Sequence, residues 1–344
     1  MAGRFYEAAE TLVYDSVVAN RHATRASLHT LGFRNAEFPS TLEILEKMLK
    51  ARSPDLLLFE VSGAETEVCQ FVQSIRQGTI GQNPFVVIIA TTWRRDGDIV
   101  KQIINSGADD LLARPFSTAL LAERIRAQIE RRKGFVVTAD YIGPDRRRDP
   151  VLRGAECFDV PNSLKVKTSA GVSSDEMERR ISGAVIAGKE SLNLEKIRRT
   201  SFQLCVQWRL LEQRRPGASD FVEIMARIRN LSDEIRRRAA DTAHASVMQW
   251  CDSIRDSIEA VGTLVEKAHE SGGIPVDLAP PMHLLGHAAM SLGQMFAPGE
   301  VHPSQLVELD ALVARIDARG AAGRPTPVPG EHHLVREVRT ARAG

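Results

Sequence analysis

Between residues 10 and 132 the chain switches repeatedly between two hydrophobic periods, and few folds can absorb that pattern. Short apolar runs rich in β-branched residues occur at Thr11–Asp15, Asp55–Glu60, Phe85–Thr91 and Asp109–Ala113, with a weaker one at Phe33–Phe38. Each is short, near-continuous in apolar character and closed by polar or turn residues, as befits a strand buried on both faces. Amphipathic stretches lie between them at Asn20–Leu31, Thr41–Arg52, Glu65–Gln77, Ile99–Ser106 and Ser117–Arg132. Gly32, Gly78 and Gly107 follow three of these, where a helix end favours a residue free to turn left-handed. Ser40 or Thr41, with Glu43 and Leu45 beyond, reads as a helix start. Five strand–helix repeats imply an α/β fold, a doubly wound five-stranded parallel sheet with a ligand crevice at the carboxyl ends of its strands.

The remaining chain has a different rhythm. Residues 134–173 read as a linker: their string FVVTADYIGPDRRRDPVLRGAECFDVPNSLKVK holds three prolines and two glycines, with nearly cancelling charge. From 174 to 318 helical periodicity dominates. Ile224, Ile228, Leu231 and Ile235 step by four, three and four, as do Val247, Cys251, Ile254 and Ile258, which continue to Val261 and Val265. Such seams are coiled-coil-like, and the RRRAADTAHAS between them breaks the heptad register, so a stutter, kink or turn is expected there. Further helices are expected at 175–190, 193–215, 279–296 and 303–318, with breaks at Pro216-Gly217 and Gly272-Gly273. The expected organisation is an α/β domain over 9–133, a linker over 134–173, an all-α interaction or dimerisation domain over 174–318 and a disordered tail over 319–344.

Composition narrows the function. Lys and Arg number 45 against 44 Asp and Glu, and residues 174–270 hold 16 of each sign. No basic field is available to steer phosphate, so nucleic acid is not an expected partner. No apolar run approaches the ~20 residues of a membrane helix and the start lacks a signal-peptide stretch, so a cytoplasmic protein without a membrane segment is expected. Cys69, Cys157, Cys205 and Cys251 lie far apart with no CxxC spacing, which reads as reduced thiols and not as a disulfide or zinc framework.

Four separate strings of the first third, in order, carry a family resemblance. LVYDSVVANR, PDLLLFE, VVIIATT and GADDLLARPF resemble, respectively, the acidic first strand, the phosphoacceptor strand, the hydroxyl-switch strand and the basic fifth-strand end of bacterial response-regulator receiver domains. The resemblance implies a non-enzymatic signalling module of two-component phosphorelays. In that family a carboxylate takes up a phosphoryl group beside Mg²⁺, a lysine pairs with its oxygens, a hydroxyl closes on it and an aromatic on the fifth strand turns inward.

Carried across, these roles meet consistent departures. Asp15 keeps the first acidic position while Ser16 replaces the second, so Mg²⁺ binding is expected to be weak and no other cofactor is implied. Glu60 stands at the phosphoacceptor position, Arg114 replaces the lysine and Leu111 the aromatic. Thr91 is the expected switch hydroxyl, with Thr92 as the alternative. Glutamate moves its oxygens by over ~1 Å, enough to spoil a positioned reaction. Arg114 can meet it as a bidentate fork, which lysine cannot. These changes fit a pseudo-receiver locked by its own side chains and regulated by protein partners, a histidine kinase or another signalling protein, with a homo-oligomer through the helices. An inert Glu60 in a scaffold, and a conventional phosphorelay regulator that accepts phosphate in the crevice, are the alternatives. Of the carboxylates that could take it, Glu60 is at the crevice, whereas nearby Asp55 starts its strand, at the wrong end for the crevice. No acid, base and nucleophile constellation suggests a catalytic residue.

Three further strings have bland and sharp readings. In YIGPDRRR, Arg146, Arg147 and Arg148 either dock on an acidic partner or the crevice, or are solvated beyond a Gly143-Pro144 turn, the simpler reading. GAVIAGKES nearly spells a phosphate loop, but Glu190 follows Lys189 where Ser or Thr is needed, so a small-residue helix face is expected. MHLLGHAAMSLG places His283 and His287 one helical turn apart. They could carry phosphate or hold a metal, but the phosphotransfer signature is incomplete and no third ligand is apparent, so packing or a surface location is expected, as for His244.

Overall fold

The computed structural model describes residues 6–146, 157–169, 174–240, 247–270, 277–301, 310–311 and 313–315. They divide into two compact units, Met1–Val137 with Tyr141–Ser191, and Thr138–Asp140 with Leu192–Gly344.

The first unit is built on β1 (Glu10–Tyr14), β2 (Asn35–Glu37), β3 (Leu56–Glu60), β4 (Val87–Thr92) and β5 (Asp110–Ala113). They form a parallel sheet in the order β2-β1-β3-β4-β5. Helices α1 (Val18–Leu31), α2 (Leu42–Ala51), α3 (Glu65–Arg76), α4 (Gly97–Asn105) and α5 (Thr118–Glu130) alternate with the strands, as the period changes predicted. Strand residues feed two cores by turns. Leu57, Phe59, Ile88 and Ala90 pack with Leu45, Val72 and Ile103 of α2, α3 and α4. Leu56, Leu58, Val87 and Ile89 pack with Leu28, Leu121 and Ile125 of α1 and α5. Covered faces on both sides are why the runs are continuous rather than alternating. Thr41, Asp96 and Ser117 cap α2, α4 and α5 by accepting backbone N–H groups, and Gly32 ends α1 with φ of 100°.

The segment expected as a linker has structure of its own and, apart from Thr138–Asp140, groups with the first unit, which runs on to Ser191. β6 (Phe135–Val137), β7 (Ile142–Pro144) and β8 (Cys157–Phe158) form an antiparallel sheet ordered β7-β6-β8, followed by the short helix α6 (Ser163–Lys167). Its seat lies at the amino-terminal ends of the parallel strands. Gly107 has φ of 92° and a Cβ there would sit 2.5 Å from the Ile142 carbonyl, so the close approach requires glycine. Buried Asp109 accepts from Arg76 Nη2 at 2.7 Å, Arg132 Nε at 2.8 Å and the Ile88 N–H. Both guanidinium groups lie over the Phe135 ring, 5.0 and 5.2 Å from its centroid. Lys167 reaches Asp55 at 3.0 Å. A stretch read from its prolines and glycines as a connector is therefore a strap, anchored by charges that come from the α/β part of the chain.

The other helices are α7 (Ser174–Leu211), α8 (Ser219–Ala239), α9 (Val247–Glu270) and α10 (Ala279–Phe296). The two helices expected at 175–190 and 193–215 are one 38-residue helix, because no proline interrupts the backbone hydrogen bonding before Pro216. GAVIAGKES lies inside it, with no strand before its first glycine. The division between units falls within α7, between Ser191 and Leu192, and not at residue 173. In the second unit both seams point inward: Ile228, Ile235, Val247, Cys251, Ile254, Ile258 and Val261 are buried in one core with Cys205, Trp208 and Leu292. The expected register break after α8, His244, Gly272-Gly273, most of the 303–318 helix and the 319–344 tail lie outside the described residues. No helix among the described residues is long and apolar enough to cross a membrane.

Candidate functional site

Four loops converge at the carboxyl end of the parallel sheet, because every strand there points the same way. β3 ends on Glu60, which pairs in register with Thr91 of β4. Asp15 follows β1 directly and Arg114 follows β5, so residues distant in sequence meet above the sheet.

Hydrogen bonds tie the cluster together. Glu60 Oε2 accepts from Thr91 Oγ1 at 2.7 Å and from Arg114 Nε at 2.5 Å, while Oε1 accepts from the Ser62 N–H at 3.1 Å. Arg114 Nη2 donates to Asp15 Oδ2 at 3.1 Å and to Thr24 Oγ1 at 3.2 Å. Asp15 Oδ1 also accepts the Val17 N–H at 2.9 Å. Arg114 is 6% exposed, Glu60 5% and Asp15 0%, so this is a buried arrangement of two carboxylates and one guanidinium. Burial pushes the Asp15 carboxyl up, with the Val17 N–H and the Arg114 charge opposing it. The Arg114 guanidinium also covers the Phe116 ring, 4.8 Å from its centroid.

The structure places Asp15, Glu60, Thr91 and Arg114 together, in a geometry that differs from the expected fork. Arg114 does not grip both oxygens of Glu60. It spends one edge on Glu60 and another on Asp15, because Asp15 is buried, anionic and within reach. The Thr92 hydroxyl faces Ser62 at 3.2 Å and not Glu60. Leu111 sits in β5 opposite Ala90, packed on the core of the α2, α3 and α4 face. Ser16 is exposed. Asp55 lies at the opposite end of β3, held by Lys167 and the Glu10 N–H, and is no part of this cluster. The carboxylates available to a cation here are Asp15 and Glu60, and no group of three His, Cys, Asp or Glu suited to a metal occurs among the described residues.

Sequence reasoning missed Thr24, Ser62 and Phe116, whose roles depend on contacts across the fold; Phe116 alone had a local signal, its place in ARPF. It also misplaced Arg146. That side chain is half-buried and donates to the Ala108 and Asp109 carbonyls at the start of β5, far from the crevice end, and is neither solvated nor turned to the crevice. Its Nη2 alone reaches these two neighbouring carbonyls. Arg147 and Arg148 lie outside the described residues.

No family model matches the chain. Curated relatives that do include two named transcriptional regulatory protein CseB, from Streptomyces avermitilis and Streptomyces coelicolor. Each is 32% identical over 111 residues, 32% of this chain, and the match spans only 45% of the relative. The first unit has the five-stranded parallel fold of response-regulator receiver domains and is similar to them. Solved structures similar to this unit include a signal receiver domain from Clostridium thermocellum, 16% identical, with a TM-score of 0.33 over 36% of this chain and 98% of that one. A response regulator from Thermotoga maritima is 22% identical, with a TM-score of 0.31 over 34% of this chain and 95% of that one. In the receiver frame Glu60 ends the third strand, and Arg114 precedes Pro115 at the end of the fifth.

Proposed function

We propose that this chain acts in two-component signalling as a pseudo-receiver, held by its own side chains, that passes its state on through protein contacts. The observation that carries the reading is the Arg114 bridge between Glu60 and Asp15. An acyl phosphate needs a carboxylate oxygen with space before it and cations around it. Here both Glu60 oxygens are taken, and Arg114 fills the position beside them with a fixed charge. A metal added at Asp15 would have to compete with that guanidinium, so weak Mg²⁺ binding belongs to the same reading. Leu111 has no aromatic edge to swing, and β5 is pinned at both ends, by Arg114 at one and by Asp109 with Arg76 and Arg132 at the other. A partner, a histidine kinase or another cytoplasmic signalling protein, then biases the receiver by binding one of its states better than the other. Both seams of the second unit are spent on its own core, so a homo-oligomer would use the outer faces of those helices.

Trp93 makes the reading testable. It is 50% exposed, and its N–H donates to Ser62 Oγ, whose own N–H is bonded to Glu60. With the chain labelled with 5-fluorotryptophan, Mg²⁺ and beryllofluoride, a phosphoryl mimic, are expected to leave the Trp93 fluorine resonance in place. A saturable shift abolished by Glu60→Gln would establish a conventional phosphorelay receiver instead. The names of the two Streptomyces relatives make DNA the alternative partner; binding of the full chain to duplex DNA that falls steeply with salt would favour it.

A further inference from the structure

In the second unit, α10 presents a stripe of metal-ligating side chains that the signalling role does not use. His283, His287 and Met290 stand at i, i+4 and i+7, which superposes them along one face of the helix. All three line the same open groove, about 530 Å³ in volume, together with Trp208 and Glu212 of the α7 end. Both imidazoles are exposed, and among the described residues neither is engaged in a hydrogen bond or ion pair. The His287 ring rests against Trp250 of α9 at 5.3 Å between centroids, which restricts its orientation. Trp208 forms the groove's apolar wall because Gly286 has no side chain; a Cβ there would sit 2.3 Å from the indole.

The donor set decides the ligand. Glu212 is already paired with Arg209 at 2.7 Å, and no third His, Cys, Asp or Glu completes a site among the described residues. The third donor within the stripe is therefore the Met290 thioether. Two neutral imidazoles and one thioether are a poor set for Mg²⁺ or Ca²⁺, which want oxygen, and short of what Zn²⁺ takes. They suit a soft cation with low coordination number. We infer that His283, His287 and Met290 form a copper(I) site on the helical unit.

The inference stands apart from the state of the receiver and is tested on the full chain, with exposed Cys157 changed to serine so that its thiol does not compete. Copper(I) is titrated anaerobically against a chromophoric chelator. One ion per chain is expected, with the fluorine resonances of Trp208 and Trp250 shifting while Trp93 stays unmoved. His283→Ala with His287→Ala should abolish that ion; His283→Asn with His287→Asn repeats the test with polarity kept, and circular dichroism checks that the helices remain. Met290→Leu should weaken copper(I) at least about tenfold, the scale expected for loss of a metal-site interaction, while leaving the weaker zinc(II) binding unchanged. Copper(I) retained by the histidine variants, indifferent to Met290→Leu, or not bound at all would each overturn the assignment.

Discussion

Arg114→Met removes one cation from between two buried carboxylates while keeping the volume of the stem. In the native protein that guanidinium bonds Glu60 at 2.5 Å and Asp15 at 3.1 Å. Without it Glu60 keeps Thr91 and the Ser62 N–H, and Asp15 keeps the Val17 N–H, but both charges lose their counterion in a site closed to water. Breaking a buried ion pair from one side costs about 3–5 kcal/mol. At roughly 2–4 °C per kcal/mol for a unit of this size, the melting point should fall by roughly 10 °C. The loss should depend on pH with a definite sign. Burial already holds the Asp15 carboxyl above its ordinary value, and removing a nearby cation raises it further. A carboxyl with a raised folded-state pKa favours the fold below its unfolded value and loses that contribution as pH rises through the folded one. The variant should therefore recover towards the native stability as the pH falls from 7 into the mildly acid range. The assay is urea unfolding followed by the Trp93 fluorine signal, since Trp208 and Trp250 belong to the other unit. A double-mutant cycle with Glu60→Gln should show coupling, because the neutral amide relieves part of the stranded charge. A loss below about 1 kcal/mol, the value of an exposed pair, or one independent of pH would refute the buried-bridge reasoning.

Other expectations follow from the strap and the thiols. Asp109→Asn strands Arg76 and Arg132 and should cost about 3–5 kcal/mol at pH 7 by urea unfolding. Burial raises the Asp109 carboxyl, but the guanidinium charges of Arg132 and Arg76 outweigh it and hold it below the usual range. Its stabilisation is thus present above the ordinary value and lost as pH falls through the depressed one, so the acid limb below about pH 4 should flatten in the variant. Gly107→Ala forces a left-handed residue against the Ile142 carbonyl and should cost about 1–3 kcal/mol, with faster hydrogen exchange at Val136 and Val137. Cys205 is pushed up to about 12 and Cys69 to about 11, both chiefly by burial, so in native buffer iodoacetamide should label Cys157 and spare these two, as read by peptide mass.

What the sequence determined by itself was everything encoded within a turn or a strand length. The change from unbroken apolar runs to amphipathic stretches placed β1 to β5 and α1 to α5 within a few residues, because burial on two faces and burial on one leave different local patterns. Heptad steps likewise marked the apolar faces of α8 and α9, which were expected to meet a partner and which the fold turns into the unit's own core. The positions of Asp15, Glu60, Thr91 and Arg114 were legible because each sits at a strand end, and parallel strands bring those ends together. The tertiary structure alone decided how they connect. A guanidinium chooses among carboxylates by distance and burial, and Asp15 lies 99 residues from Arg114 in the chain. The same reason hid the strap. Prolines and glycines in residues 134–169 report only local turns, whereas its anchors, Arg76, Asp109, Arg132 and Asp55, are set by a fold formed elsewhere in the chain.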